Sequence, residues 1–493
     1  MEKEDLLGKN GGEVKIEDRD LLGLTWNEFG RELKDVSCLS GPMVAVNWSV
    51  FFLQIISLMM VGHFGKVALS STAISISLCA LSGFSIIYGL SCALETLCGQ
   101  AYGAQQYRKF GVQIHTAIFC LNLSCIPLCL LWMCLGKLLV FLGQNPLISH
   151  EVGKFAVCLI PALFGYATLQ ALIRFFMIQS LTSPLFVTSS ITLCFHIAFC
   201  WLLVFKSGFG CLGAAFAIGS SYWLNVILLG LYMKFSSSCA KTWVPISMEL
   251  FHGIREFFGL AVPSAAMICL EWWSFELLTL ISGLLPNPEL ETSIFSVCVS
   301  TTTTIYTIAE AIGSAASARV SNALGAGNPR SARVTVFASM FLTCFEALLM
   351  SSIMFASKNV LGCVFSSDGD VVVYFTDMIP LLCLSVIVDS LHGTISGIAT
   401  GIGLQQLGAY VNLKSYYVLG IPIAVTLGFW VGLGAKGLWI GIMIGSISKL
   451  VLLSFRLSCT DWKMEARNAR ERIFHGRLLT EDQMSKVEQL GKN

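Results

Sequence analysis

Four carboxylates lie deep within stretches of the sequence that are otherwise apolar. They are Glu271 and Glu276 in the segment LEWWSFELL, Glu310, and Asp389. A carboxylate at the centre of a bilayer costs at least about 2.5–3.5 kcal/mol, so such a residue is normally kept for function or paired inside a bundle. Burial and a neighbouring carboxylate both favour the protonated form, which allows proton exchange near physiological pH. The chemistry that these residues offer is therefore reversible proton binding.

Polar residues recur at helical spacing around three of these acids. Ser385 and His392 fall on the face of Asp389, Thr307 falls on that of Glu310, and serines flank Glu271. Glu276 lies five residues beyond Glu271, about 140° around the helix, and need not share its cavity. The spacing predicts three polar stripes that turn toward one cavity in the second half of the chain.

The composition excludes a soluble protein. The chain has 493 residues, of which 55% are hydrophobic and 12% are charged, whereas about a quarter of the residues of a soluble domain are charged. A formal net charge of +1 with no basic block argues against a nucleic-acid partner. Neither an enzyme motif nor a zinc-ligand spacing of cysteines is present, so we expect a multi-pass membrane protein without enzymatic activity, cofactor or metal.

Apolar stretches of about 20 residues predict twelve membrane spans. In the first half they lie near residues 38–62, 67–92, 110–135, 152–178, 184–206 and 211–234. In the second half they lie near residues 257–284, 292–318, 331–357, 372–402, 409–431 and 435–457.

The two halves of the sequence also repeat each other. AYGAQQYR at 101–108 matches ALGAGNPR at 323–330, a shift of 222 residues. Three further pairs have nearly the same shift: Pro42 with Pro263, Ile160-Pro161 with Ile379-Pro380, and Gly213-Ala214 with Gly434-Ala435. Six spans per half place both halves in the same orientation, related by a pseudo-twofold axis along the membrane normal. The predicted fold is an all-α membrane protein with two six-helix lobes and a cleft between them, which is typical of transporters.

We divide the chain accordingly into five parts: an N-terminal tail (1–37), an N-lobe (38–236), an interlobe linker with an interfacial helix (237–256), a C-lobe (257–457) and a C-terminal tail (458–493). Basic residues are concentrated beside loops that follow even-numbered spans and in the C-terminal tail. By the positive-inside rule, those loops and both tails are expected to be cytoplasmic.

Four motifs resemble those of the multidrug and toxic compound extrusion (MATE) family, in its plant DETOXIFICATION branch. They are LETLCGQAYGAQQ (94–106), AVPSAAMICLEWWSFE (261–276), AASARVSNALGAGNPRSAR (315–333) and QQLGAYVNLKSYYVLGIP (405–422). The resemblance covers about residues 25–460 and implies export of organic cations or secondary metabolites in exchange for protons. It also implies a proton site at Glu271 and Asp389. Many prokaryotic members carry an aspartate in span one, where this chain has Asn47.

The sequence and this resemblance together predict a proton-coupled antiporter that exports organic cations, xenobiotics or secondary metabolites by alternating access. Glu271 and Asp389 are the expected proton-coupling residues, with Glu276 and Glu310 as possible supporting acids. Possible substrate-cavity residues are Asn47, Gln54, Tyr306, Thr307, Ser385, His392, Asn412, Tyr416 and Tyr417. We expect a monomer in the vacuolar or plasma membrane. A sodium-coupled exporter and an uncoupled channel or facilitator remain as alternatives.

Overall fold

The structure, a computed structural model, describes residues 25–365 and 369–474. Parts of the predicted tails, residues 1–24 and 475–493, lie outside the described residues. Six long helices form the first half: α1 (Trp26–Gly62), α2 (Val67–Gly103), α3 (Tyr107–Phe141), α4 (Pro146–Ile178), α5 (Thr182–Lys206) and α6 (Cys211–Phe235). Six more form the second: α7 (Ile254–Ser282), α8 (Pro288–Gly325), α9 (Pro329–Ala356), α10 (Gly369–Ile402), α11 (Gln405–Trp430) and α12 (Gly434–Ser458).

Short elements connect or follow these helices. Between α6 and α7, where the sequence predicts an interfacial helix, the chain forms two 3-10 turns, Ser237–Cys239 and Met248–Phe251. A short helix, Lys358–Phe365, precedes α10. After α12 the chain forms a further helix, α13, over residues 462–474.

Helix α8 differs from the other eleven long helices in its polarity. Those eleven are each apolar enough over at least 18 residues to cross a membrane. The 38 residues of α8 include four consecutive threonines, 301–304, and Glu310. Its most extensive packing is against α10, so neighbouring protein rather than lipid covers much of its polar surface.

Local sequence explains where several helices begin. Asn328 precedes α9, and its side-chain oxygen accepts a hydrogen bond of 3.0 Å from the backbone N–H of Ser331. Pro329 follows at the first helical position, where its missing N–H leaves no hydrogen bond unmade. Asn145 caps α4 in the same way. These caps satisfy donors that a helix cannot satisfy within itself.

The repeated prolines occupy equivalent places in the two halves. Pro42 lies inside α1 and Pro263 inside α7, while Pro161 lies inside α4 and Pro380 inside α10. Each proline removes one backbone hydrogen bond from its helix and favours a bend in the helix at that point. The sequence repeat therefore corresponds to a repeat of helix geometry.

The two halves meet closely at the end of the bundle where α1 begins and α13 lies, which we call the termini face. Gly99 and Gly103 of α2 lie against Ser321 and Asn322 of α8, with no room for a side chain at either glycine. Gly325 of α8 lies in the same way against the backbone of α2. Small residues allow these helix backbones to approach, as is common in membrane bundles.

Ion pairs join the halves at the same face. The guanidinium of Arg319 binds both carboxylate oxygens of Glu32, at 2.5 and 2.7 Å, and contacts Asp35 at 3.1 Å. Arg330 pairs with Glu28 at 2.9 Å. Two-point arginine–carboxylate contacts are the stronger kind of ion pair, so α8 and α9 are held to α1 at this end.

Helix α13 reaches across the same junction. Its buried residues Trp462, Ala466 and Ala469 pack in one cluster with residues of α8, α9 and α10. Near its end, Arg472 donates to the side chain of Gln100 in α2 at 3.3 Å and to the Ile402 carbonyl of α10 at 3.2 Å. Helix α13 thus contacts both halves.

Candidate functional site

A buried cluster of ionisable side chains lies among α7, α10 and α12. Glu271 of α7 accepts a hydrogen bond of 2.6 Å from the Lys449 ammonium of α12. Its other oxygen lies 3.5 Å from Nδ1 of His392. Nε2 of the same imidazole lies 3.0 Å from the Asp389 carboxylate. His392 therefore stands between the two acids that the sequence selects, and it contacts both.

The cluster is shielded from solvent to different degrees. The side chain of Lys449 is fully buried and that of Glu271 is 6% exposed. The side chain of Asp389 is 13% exposed. Water therefore has its best access to the cluster at Asp389, and His392 connects that point to Glu271.

Tyrosine and serine side chains complete the surroundings of Glu271. Tyr416 lies in a π-helical stretch of α11, Leu413–Gly420, a local widening that is frequent at functional sites. Its hydroxyl donates to Glu271 at 3.5 Å and lies 3.4 Å from the Ser446 hydroxyl. The backbone carbonyl of Glu271 accepts a hydrogen bond of 2.6 Å from the Ser274 hydroxyl.

Three other predicted cavity residues border the same region. The Tyr306 ring centroid lies 6.1 Å from that of His392. Asn412 is fully buried, and its amide donates to the Met267 carbonyl of α7 at 2.6 Å. Ser385 accepts a hydrogen bond of 2.9 Å from the indole of Trp439. The structure thus brings parts of α7, α8, α10, α11 and α12 together around Glu271.

Other predicted residues lie apart from this cluster. Within the described residues Glu276 makes no hydrogen bond or ion pair with a neighbouring side chain, and it is half-buried on α7. Thr307 bonds to the backbone of its own helix, and Tyr417 packs against the apolar core of the C-lobe. Asn47 and Gln54 are half-buried on α1, in the other lobe.

Glu310 belongs to a second, partly buried cluster between the lobes. It accepts a hydrogen bond of 2.8 Å from the Tyr88 hydroxyl of α2. The guanidinium of Arg174 lies 5.2 Å from the centre of the Tyr88 ring and 3.2 Å from the Glu95 carboxylate. Trp272 of α7 stacks on the same tyrosine, with 5.6 Å between ring centroids. Glu310 therefore faces the other lobe rather than Asp389.

Sequence reasoning missed Lys449. The signal was available, because a lysine within a predicted apolar span is as unusual as a carboxylate. The predicted site rests on acids and polar stripes, and the predicted span twelve includes this lysine without assigning it a role. The arginine–carboxylate pair of the second cluster, Arg174 with Glu95, is likewise absent from the candidates that the sequence selects.

The described part of the chain shows no cluster of side chains that could bind a metal ion. Over residues 25–365 and 369–474, no group of three or more His, Cys, Asp or Glu side chains is arranged to hold a metal ion. What the Glu271 cluster offers is proton exchange between two carboxylates and an imidazole, with a lysine ammonium group beside them.

Comparisons with known proteins agree with this architecture. The MatE family model matches residues 42–202 and 263–426, which is well over half of the chain and covers one segment in each half. The crystal structure of the eukaryotic MATE transporter AtDTX14 superimposes with a TM-score of 0.88 at 56% identity, covering 90% of this chain and all of that one. A Vibrio cholerae MATE transporter, the VcmN D35N mutant, superimposes with a TM-score of 0.78 at 14% identity, over 89% of this chain and all of that one, and so supports the fold alone.

Curated relatives cover nearly the whole chain. Protein DETOXIFICATION 14 of Arabidopsis thaliana is 56% identical over 445 residues, 90% of this chain and 92% of that protein. Protein DETOXIFICATION 10 of Arabidopsis thaliana is 52% identical over 468 residues, 94% of this chain and 96% of that protein. The predicted all-α fold with twelve membrane helices in two lobes is confirmed. The chain belongs to the MATE family and is a multi-pass membrane transporter of the DETOXIFICATION type, not an enzyme.

Proposed function

We propose that this transporter is a proton-coupled antiporter that exports organic cations, xenobiotics or secondary metabolites from the cytoplasm. The observation that carries the proposal is the contact of His392 with both Glu271 and Asp389 in a buried part of the C-lobe. An imidazole between two carboxylates provides a route by which a proton moves from the more accessible acid to the buried one. We propose Glu271 and Asp389 as the proton-exchanging groups.

The cycle follows from the charge of this cluster. When the cleft faces the acidic compartment, Asp389 takes up a proton, and His392 passes protons on to Glu271. Neutralising the carboxylates removes the counter-charge of a bound organic cation, which then dissociates. When the cleft faces the cytoplasm, the protons leave, and the restored negative charge attracts the next cation.

The driving force is sufficient for export. One pH unit supplies about 1.4 kcal/mol per proton, and a membrane potential adds about 2.3 kcal/mol per charge per 100 mV. Each tenfold accumulation of substrate needs about 1.4 kcal/mol. A gradient of one or two pH units therefore sustains tenfold to hundredfold accumulation of substrate for each proton exchanged.

The close packing at the termini face supports alternating access. If both termini are cytoplasmic, the Arg319–Glu32 pair and the Gly103–Asn322 contact close the cleft on the cytoplasmic side. The conformation described here then faces the opposite compartment, the lumen of a vacuole or the cell exterior. Because one chain holds both lobes, we propose that it acts as a monomer.

Transport into proteoliposomes tests this proposal. With an imposed pH gradient, wild-type protein should move a fluorescent organic cation, while Glu271→Gln and Asp389→Asn should each lose most gradient-driven transport. Glu276→Gln is the matched control, because it removes a carboxylate from the same helix without touching the cluster. Undiminished transport by both cluster variants would refute the proposed site.

The same vesicles separate the alternatives. A sodium gradient that replaces the proton gradient with equal transport would identify a sodium-coupled exporter. Substrate movement without substrate-stimulated proton flux would identify an uncoupled channel or facilitator. Proton flux that appears only with substrate, and that disappears in Glu271→Gln, is the outcome that we expect.

A further inference from the structure

Lys449 places an ammonium group inside the proposed coupling site. Its ammonium group is fully buried and lies 2.6 Å from Glu271. The ring of Tyr416 is 5.9 Å away. Among residues 25–365 and 369–474, Glu271 is the acceptor that this ammonium group binds. A buried lysine with one carboxylate partner loses its counter-ion when that carboxylate takes up a proton.

The other groups that face this pair come from three helices. Helix α10 contributes Asp389 and His392, α11 contributes Tyr416, and α8 contributes Tyr306. Glu310 of α8 lies within electrostatic reach of Glu271, but it is bound by Tyr88 and also faces Arg174. We therefore count Glu310 with the second cluster rather than with the pair of Glu271 and Lys449.

The charge of the site changes sign during proton loading. With both carboxylates ionised and His392 neutral, Glu271 and Asp389 outweigh Lys449 by one negative charge. With both protonated, each carboxyl carries an O–H group and is neutral, and the Lys449 ammonium group is the charge that we count. The site then carries one positive charge. Without Lys449, protonation of the same two carboxylates would take the site from two negative charges to none.

We propose that Lys449 determines the charge specificity of transport. By neutralising one of the two carboxylates, it leaves a site that matches a monovalent organic cation. After proton loading, its charge repels that cation and speeds release, so two protons enter as one monovalent cation leaves. This inference depends on the proposed coupling site at Glu271 and Asp389, and it adds to that site a residue that sets which cations are carried.

Paired substitutions test the charge count directly. In the Glu271→Gln variant, the charges of Asp389 and Lys449 cancel, so the site is neutral at neutral pH. In the double variant E271Q/K449M, the net charge returns to one negative. Binding of the monovalent dye ethidium to purified protein in nanodiscs should fall about tenfold or more in E271Q. The double variant should recover most of the wild-type affinity, although it lacks both members of the pair.

A second measurement uses the valence of the ligand. In Lys449→Met the ionised site carries two negative charges. The ratio of the affinity for the divalent dye propidium to that for ethidium should therefore be about tenfold higher than in wild type. Lys449→Arg keeps the charge and should preserve the wild-type preference. At mildly acidic pH, wild type should release ethidium more completely than E271Q/K449M, whose protonated site is neutral.

The outcomes separate this inference from the function on which it depends. If E271Q alone binds and transports like wild type, the coupling site itself is refuted. If E271Q loses binding and E271Q/K449M fails to restore it, the role of Lys449 is refuted while the coupling site stands. Should K449M fold poorly because Glu271 is left unpaired, the double variant still decides, since it leaves no unpaired carboxylate in that pair.

Discussion

Arg472 should hold the two lobes together at the termini face. Burial lowers the pKa of its guanidinium, and the carboxylates of Glu465 and Glu256 partly oppose that effect. The charged group therefore depends on its two acceptors, Gln100 in the N-lobe and the Ile402 carbonyl in the C-lobe. Arg472→Ala removes this one link between the lobes, but Lys109 of α3 still donates to the α13 backbone and the apolar face of α13 stays on the C-lobe.

The size of the effect follows from one bond. A hydrogen bond from a charged donor contributes about 1.5–3 kcal/mol. The bond to Gln100 is 3.3 Å long, slightly beyond the usual upper distance of about 3.2 Å for an N–H···O hydrogen bond, so we expect a loss of about 1–2 kcal/mol. A change of that size raises the ratio of open to closed termini face by about 5–30-fold.

Hydrogen–deuterium exchange with mass spectrometry measures this opening. Peptides that cover the ends of α2 and α8 and the turns that follow them, residues 96–106 and 317–328, should exchange faster in Arg472→Ala than in wild type. Arg467→Ala is the matched control, because Arg467 lies on the same helix with its side chain 70% exposed. Equal exchange in wild type and Arg472→Ala would refute the role of Arg472. An equal increase in both variants would point to loss of α13 instead.

Two further substitutions probe the contacts between and within the lobes. Arg174→Met leaves Glu95 buried without its partner and should lower the stability of the solubilised protein by about 3–5 kcal/mol, whereas E95Q/R174M should recover most of the thermal midpoint. Gly103→Leu places a side chain against the Asn322 backbone and should block closure of the termini face. Transport in proteoliposomes should then be lost at normal expression, while Gly30→Ala, in open space, should transport like wild type.

Much of the fold could be predicted from composition and pattern. Apolar spans, the shared A-x-G-A-x-x-x-R motif and the repeated prolines are properties of the chain that need no contacts to be seen. They predict twelve helices in two similar halves because lipid forces every spanning segment to satisfy its own backbone hydrogen bonds. Span eight was correctly placed despite its threonines, since the repeat requires a helix there.

Only part of the site could be predicted in this way. Glu271, Asp389 and His392 were selected because ionisable residues in apolar spans are rare. The sequence also placed Glu310 on a polar stripe that was expected to turn toward the same cavity. Its actual hydrogen bond is to Tyr88, 222 residues away in the other lobe, and helical spacing within one span carries no information about such a partner.

The sequence by itself determined that this protein spans a membrane twelve times and keeps acids where lipid would exclude them, because hydropathy and periodicity are local properties. Tertiary structure alone decided how those acids are paired. Glu271 meets Lys449, which is 178 residues away in the chain, because of how α7 and α12 are rotated against each other. That rotation depends on packing summed over the whole C-lobe, and it decides whether a buried carboxylate has a cation, a tyrosine or no partner beside it.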